Sequence, residues 1–571
     1  MNRLCISPSL TLTHHLPHHH HSGKYPPAAA AFFNKLSSLP LKSCFSQFCY
    51  LLSISLVGYC ILNSLNTRPT GTASDDIPGT LDYFFTSISA TTSSSMASVE
   101  MEVFSDSQLL LITFLMFLGG EVFTSLLGLV IKNYKMRKEV TRLVSASNND
   151  GRNEPTPFNP RYELELRAVV VPLSVPDILP AHHQNHHHNT TTKEDWSEVH
   201  LKRKSIQFLC YVTLTYLTSI HVLGIFSLSL YLALEPSARN VLREKGLGTF
   251  TFSLFTVVST FTNCGFLPTN ENMIPFGRNP GMLLLLIPHV LLGNTLSPPC
   301  IRLCVWLAGK LFPKNNAERY SKFLLEVKRD GVTNGIILSG RHSAYLAATV
   351  AGFVAVQFVM FCGLDWDSEG MKGLNPVQKL VGGAFMAMNS RHAGESIVDL
   401  STISPAVLVV FVAMMYLPPY TSFLPTEREE EEEDRNSRSD NNTIQNSNST
   451  TGEKRAGNNN IVENVIFSPL SFLVVFVVMV CITERESLKK DPLNFNVFTI
   501  AFEVVSAYGN VGYSIGYSCK RCINPVENCK DKWISFSGKW SNQGKIVLIL
   551  VMLFGKLKKF NVNGGKAWKL L

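Results

Sequence analysis

Charge is scarce in this chain of 571 residues. Only 16% are Asp, Glu, Lys or Arg, against about 25% in a typical soluble domain, and that excludes a charge-covered globular surface over much of the length. Acidic residues are missing altogether from residues 1–74, which are rich in Ser, His and Pro. That composition fits a transit peptide or a disordered cytoplasmic tail, and we read it as the tail. Nucleotide-binding loops and nucleophile–base constellations are also missing, so nothing visible couples the chain to hydrolysis, and no cofactor is expected. Metal ligands are poorly placed. Most of the thirteen cysteines lie in apolar segments, where they behave as small hydrophobes. Cys519, Cys522 and Cys529 share a polar loop, but no second pair has ligand spacing; a disulfide is favoured there if the loop is extracellular. Of the histidines, only His221 and His289 fall in long apolar runs, far apart in sequence. The His-rich tracts (His18 to His21; His182, His183, His186 to His188) read as low-complexity filler.

What the chain has is concentrated hydrophobicity: 45% apolar residues and a mean hydropathy of +0.12 despite long polar stretches. A spanning helix needs about 20 apolar residues. Candidates run near 45–65, 108–131, 206–234, 281–309, 344–364, 402–423, 464–482 and 545–560, which makes eight spans. Between the members of each pair lies a shorter semi-apolar stretch, at 80–92, 249–262, 376–389 and 493–508. Such stretches suit re-entrant segments, which are tolerated at membrane depth only where they are buried in protein or line a water-filled cavity. The expected fold is therefore an all-α integral membrane protein. It has four tandem helix–pore-loop–helix repeats around a central potassium-channel-like pore. The expected boundaries are a tail at 1–44, repeat A at 45–131, a linker at 132–204, repeat B at 205–311, a linker at 312–343, repeat C at 344–425, an acidic and Asn/Ser-rich linker at 426–463, and repeat D with the C-terminal tail at 464–571.

The net charge of +8 could signal nucleic acid, but the Lys and Arg cluster beside the apolar runs, so no nucleic-acid partner is expected. Lys132, Lys135, Arg137 and Lys138 open one link between repeats, and Lys202, Arg203 and Lys204 close it. Within-repeat loops are often acidic, although Arg239, Arg243 and Lys245 run against the trend. The bias puts the links and both termini in the cytoplasm. The sequons at Asn189, Asn441 and Asn448 would then stay unglycosylated.

Two re-entrant stretches align without gaps: Ser259-Thr-Phe-Thr-Asn263-Cys-Gly265-Phe266 and Ser506-Ala-Tyr-Gly-Asn510-Val-Gly512-Tyr513. The third, Asn389-Ser-Arg391-His392-Ala-Gly394-Glu395, keeps the glycine in register. In the first, setting Ser89 against Ser506 puts Ser95 opposite Gly512. Potassium filters replace the ion's water shell with backbone carbonyls, and aiming successive carbonyls at one axis requires dihedrals that glycine adopts without steric cost. A glycine that merely ends a helix is the plainer explanation for one loop, but not for three in register.

These residues resemble the plant high-affinity potassium transporters (HKT), relatives of the microbial Trk and Ktr transporters. The resemblance also rests on Ser94-Ser95-Met96 with Val99 to Ser105, on Pro268 to Asn272 and on Ile397 to Ser401, and runs from about residue 45 to the end. It implies a multi-pass plasma-membrane transporter, in homodimers within the lipid bilayer, with a filter of Ser95, Gly265, Gly394 and Gly512 whose backbone coordinates the transported ion. It implies the serine-type subclass, selective for sodium and serving sodium homeostasis and salt tolerance, whereas the all-glycine subclass also carries potassium. Sodium/potassium cotransport and potassium transport are the alternatives within the class. A receptor or scaffold offers no reason for four in-register loops. On the residues alone, the Cβ of Ser95 should displace one quarter of the carbonyl ring or alter its geometry, a loss that sodium should tolerate better than potassium.

Ser94, Asn263, His392 and Asn510 flank the filter. Glu100, Glu102 and Glu395 follow it and are expected at the outer mouth, where acid rings attract cations. Arg391 is expected to pair with an acidic neighbour. Glu121 lies mid-span, either functional or a buried support for the loop. Lys556, where the last helix would line the inner cavity, resembles the family's basic residue implied to form a permeation barrier.

Overall fold

A computed structural model of the chain describes residues 41–68, 78–149, 188–313, 316–326, 336–421, 469–522 and 535–561. Residues up to Gln47 form one compact unit and residues from Phe48 onward a second. The elements are helical, and four are short: Thr80–Thr92, Thr249–Phe261, Pro376–Asn389 and Val497–Gly509, of 13 or 14 residues each. At 1.5 Å per residue they reach about 20 Å, too little for a hydrocarbon core of about 30 Å. They coincide with the four semi-apolar stretches, and we call them pore helices A to D. Local chemistry marks their starts. Asn496 exchanges hydrogen bonds with Thr499, the Asn375 N–H donates to Gln378 with Pro376 in the first turn, and the Gly79 N–H donates to Asp82.

Each pore helix is preceded by an outer helix (Leu41–Ser64, His188–Leu234, Gly340–Leu364 and Pro469–Thr483) and followed by an inner one (Asp106–Gly119, Pro280–Leu292, Pro405–Tyr416 and Asn542–Asn561). Inner helix A packs on pore helix B, inner B on pore C, inner C on pore D, and inner D on pore A. The contacts close into a ring of four. Large apolar side chains such as Phe114, Leu223, Phe226, Val359 and Ile482 stay exposed on the outside, as a lipid-facing surface requires and a soluble one avoids.

Three expected spans differ from straight helices. Inner helix A stops at Gly119 and resumes at Glu121 at an angle of 57°, and inner helix B breaks between Leu292 and Ser297 at 83°. The breaks fall where Gly119 and Gly293 press against the Thr91 and Phe261 carbonyls of pore helices A and B, so closely that a Cβ at either would overlap the oxygen. The span expected over 402–423 is helical only from Pro405 to Tyr416, because Pro418 and Pro419 disfavour helix in the residues before them. Phe45–Ser64, Leu201–Leu234 and Gly340–Leu364 are each long and apolar enough to cross a bilayer alone.

The linkers are not wholly irregular either. The second half of the bent pair in repeat A runs to Asn149, and a helix over Ala317–Glu326 packs on Ser297–Leu311, with Ser321 Oγ donating to the Val305 carbonyl at 3.0 Å. The 426–463 linker, its sequons and the His tracts up to His187 lie outside the described residues.

Candidate functional site

Each pore helix ends at the centre of the ring, and three end in the same way. Ser94, Cys264 and Val511 donate their N–H to the carbonyls of Ser89, Ser259 and Ser506; Ser93, Asn263 and Asn510 donate to Ala90, Thr260 and Ala507. This pair of bonds closes a helix through a left-handed residue, and Ser93, Asn263 and Asn510 have φ of 55°, 54° and 48°. Capping is therefore done two residues before the glycine, and the glycine is left for another purpose. Pore helix C departs from the pattern: Asn389 accepts from both His392 and Gly394, a tighter exit.

Ser95, Gly265, Gly394 and Gly512 all take positive φ, at 55°, 79°, 65° and 100°. The structure brings the four together. A Cβ on Gly265 would overlap the Ala393 carbonyl and lie 3.2 Å from Ser95 Oγ; one on Gly394 would overlap Val511 O; one on Gly512 would overlap Ser95 Cβ. B thus meets C, C meets D, and D meets A. Ser95 adopts the same left-handed class as the glycines, and its Cβ occupies space that Gly512 vacates. Four helix C-termini converge here, each carrying about half a negative charge, together with close-packed carbonyls. The arrangement favours a cation and repels an anion.

The flanking residues support this ring from behind. Asn510 Nδ2 donates to Ser94 Oγ at 2.7 Å and to the Met552 carbonyl at 3.1 Å, tying loop D to loop A and to inner helix D. With its amide turned to satisfy its neighbours, Asn263 makes the matching bond to Val290 of inner helix B at 3.2 Å. Two expectations fail here, for Glu395 and Arg391. Glu395 is fully buried, accepting from Thr260 Oγ1 at 2.6 Å, so it braces loop C against pore helix B and does not face the mouth. His392 is buried too, bonded to Thr295 at 2.8 Å in the bend of inner helix B. Among the described residues Arg391 meets no acid: it donates to the Pro418 and Pro419 carbonyls and stacks 5.1 Å over Phe353, using chain left open where inner helix C ends.

Beyond the ring, Lys245 bridges Glu102 and Glu271, each at 2.6 Å. Asn270 donates to Glu100 at 3.0 Å and exchanges bonds with Glu102. Burial works to lower the Lys245 pKa, but its two carboxylate partners outweigh that and hold it above the ordinary value. Glu102 is therefore neutralised in a knot between repeats A and B, not part of a bare acid ring. On the other side, Lys556 is 1% exposed, with Nζ 3.5 Å from Ser93 Oγ. Glu121 begins the second half of the bent helix in repeat A and, with Ser297, which begins that of repeat B, interacts with Tyr420. It braces a junction, which favours the supporting role.

One residue escaped the sequence reading. Glu503 is fully buried in pore helix D and accepts from Ser535 Oγ at 2.6 Å and the Ser537 N–H at 3.0 Å, while Ser537 Oγ reaches the Ala97 carbonyl at 3.3 Å. A single carboxylate inside an apolar 13-residue helix was the available signal. In the loop beyond, Cys519 is disulfide-bonded and Cys522 is free, so the CxxC does not close on itself.

A ring of helix C-termini and left-handed residues inside an apolar exterior defines a multi-pass membrane transporter of cations. Residues 191–563 match the TrkH family, described as a cation transport protein. The chain is 43% identical to the probable cation transporter HKT1;4 of Oryza sativa subsp. japonica, over 91% of this chain and 96% of that protein. It is 40% identical to the sodium transporter HKT1 of Arabidopsis thaliana, over 88% and 91%. It is 35% identical to the rice cation transporter HKT2;4, over 89% and 90%. The crystal structure of the potassium transporter TrkH from Vibrio parahaemolyticus aligns with 96% of this chain and 86% of its own at 12% identity, with a TM-score of 0.44. The chain belongs to the TrkH family of cation transport proteins and, within it, to the HKT transporters; it is not an enzyme.

Proposed function

We propose that the protein conducts sodium passively across the plasma membrane, with both termini cytoplasmic, and that it serves sodium homeostasis and salt tolerance. The observation that carries this reading is the serine in a ring otherwise of glycine. At Ser95 a Cβ and hydroxyl enter the space between loops A, B and D. They narrow the ring and add strain to a left-handed backbone, which penalises the larger ion that needs every carbonyl to repay dehydration. The similarity to the Arabidopsis sodium transporter supports the same choice.

The test is the reversal-potential shift when external sodium is replaced by potassium, in protein expressed in oocytes. Wild type should shift strongly negative, and Ser95→Gly should shift much less. An equal shift in both would remove Ser95 as the determinant. Ser94→Gly is the register control: Ser94 bonds Asn510 outside the ring position and should leave the shift unchanged. A second reading, cotransport with potassium, draws on the φ of 55° at Ser95, which leaves the backbone ring complete. Inward wild-type current carried by external potassium alone would favour it.

A further inference from the structure

The four loops do not meet in the same way. A Cβ on Gly265 or Gly394 would strike the backbone of the next loop first, whereas one on Gly512 would fall 2.1 Å from the Cβ of Ser95. The distance between loops A and D therefore sets how far the Ser95 side chain enters the ring. That distance is spanned, beyond the ring, by a short segment of repeat D that opens the helical turn Phe536–Lys539. The segment is bonded to both loops. The Phe536 N–H donates to Ser514 Oγ at 2.8 Å, just past Gly512 in loop D. Ser537 Oγ donates to the Ala97 carbonyl at 3.3 Å, just past Ser95 in loop A. Gly538 abuts the next carbonyl of loop A, since a Cβ there would lie 3.0 Å from Ser98 O. The segment is anchored in turn on pore helix D: Glu503 Oε1 accepts from Ser535 Oγ at 2.6 Å and from the Ser537 N–H at 3.0 Å, and the two serine hydroxyls lie 2.7 Å apart.

Glu503, Ser535 and Ser537 are all buried. A buried polar group that loses its partner pays the full cost of its desolvation, so these bonds hold the segment firmly in place. Ser537 and Ala97 are 440 residues apart, and their bond joins the last repeat to the first at the seam where the ring closes. We propose that Glu503, Ser535 and Ser537 are positioning residues for ion selectivity: they form a strut that fixes loop A against loop D, and with it the depth at which the Ser95 side chain enters the ring. The inference rests on the reading of Ser95 as the residue that penalises the larger ion. None of the three is a ring residue. They act through the Ala97 carbonyl, and a loop A released there would carry Ser95 with it.

The test measures the sodium-to-potassium permeability ratio, from reversal potentials in oocytes, for the full chain at matched surface expression. Ser537→Ala should lower the ratio about fivefold, the worth of one hydrogen bond. In the Ser95→Gly background it should lower the ratio no further, because no side chain is left to misplace. Glu503→Ala should act like Ser537→Ala, and Glu503→Gln, which keeps an acceptor oxygen for Ser535 and Ser537, should recover the ratio. A strut with a merely structural role would reduce surface expression or current in Ser537→Ala and leave the wild-type ratio; that result overturns the proposal, as does an equal fall with and without Ser95. Should Ser537→Ala carry no current, Gly538→Ala takes its place. It leaves every bond of the strut intact and presses its Cβ towards the Ser98 carbonyl, and it should change the ratio only while Ser95 is present. An unchanged ratio in Ser95→Gly alone would sink the reading of Ser95 itself. A changed ratio there, with the wild-type ratio in Ser537→Ala, would sink only the strut.

Discussion

Ser95 and Gly512 share one volume of space: the position a Gly512 Cβ would take is already filled by the Ser95 Cβ. One of the two can carry a side chain, not both. Gly512→Ala should therefore cut sodium current at matched surface expression to about a tenth or less, since overpacking of this kind costs about 1–3 kcal/mol. In the Ser95→Gly background the colliding atoms are gone and the next neighbour is Ser94 O at 3.1 Å, so part of the current should return. Some loss will persist, because alanine at φ of 100° is strained. Gly265→Ala provides the contrast. Its new Cβ would strike the backbone carbonyl of Ala393, which no side-chain deletion removes, so Ser95→Gly should restore nothing there. Equal rescue of both variants would show that Ser95 does not act through this shared space.

At the scale of whole helices, the inner helix of repeat D brings Lys556 against loop A. Gly119, Gly293 and Gly555 of inner helices A, B and D each abut the carbonyl at one matching pore-helix position, Thr91, Phe261 and Tyr508. The residue after each is Gly120, Asn294 or Lys556. Helices A and B break there, but Asn542–Asn561 runs on and delivers the Lys556 side chain beneath loop A, against Ser93. On the proposed function, a positive charge at that level would oppose a passing cation. Lys556→Gln should raise current at matched expression, inward current most, while Lys556→Arg should not; an unchanged or smaller current in Lys556→Gln would count against the barrier. The elements themselves were legible in the sequence, because hydropathy reports length and burial, and three in-register glycines report a backbone need. Hydropathy is blind to the direction of a helix axis, so the bends at Gly120 and after Leu292 did not show, although Gly119-Gly120 was there to be read. Nor could spacing say which way Glu395, His392 and Arg391 point. A loop without a period assigns no face: Glu395 turned into the protein, where the outer mouth had been expected, and Arg391 found carbonyls where an acid had been expected.

For the whole molecule, the ring closes because four sequence-distant loops meet inside an apolar exterior, and the proposed ion path runs through their centre. Nothing in the sequence shows a nucleotide site or a nucleophile that could drive an ion uphill along it. On the proposed function the energy comes from the ion's own gradient and the membrane potential. An inside-negative potential of about 100 mV is worth about 2.3 kcal/mol per charge, and a tenfold concentration ratio about 1.4 kcal/mol. Voltage and concentration are interchangeable at about 60 mV per tenfold for a path carrying one sodium per charge. The reversal potential of the wild-type current should therefore move by about that much for each tenfold change in external sodium, with potassium held constant, and depletion of cellular ATP should leave it in place. A markedly smaller slope would mean a second ion shares the path, the signature of cotransport. Flux that ignored voltage would mean the charge is balanced within the transport cycle and would overturn the passive reading.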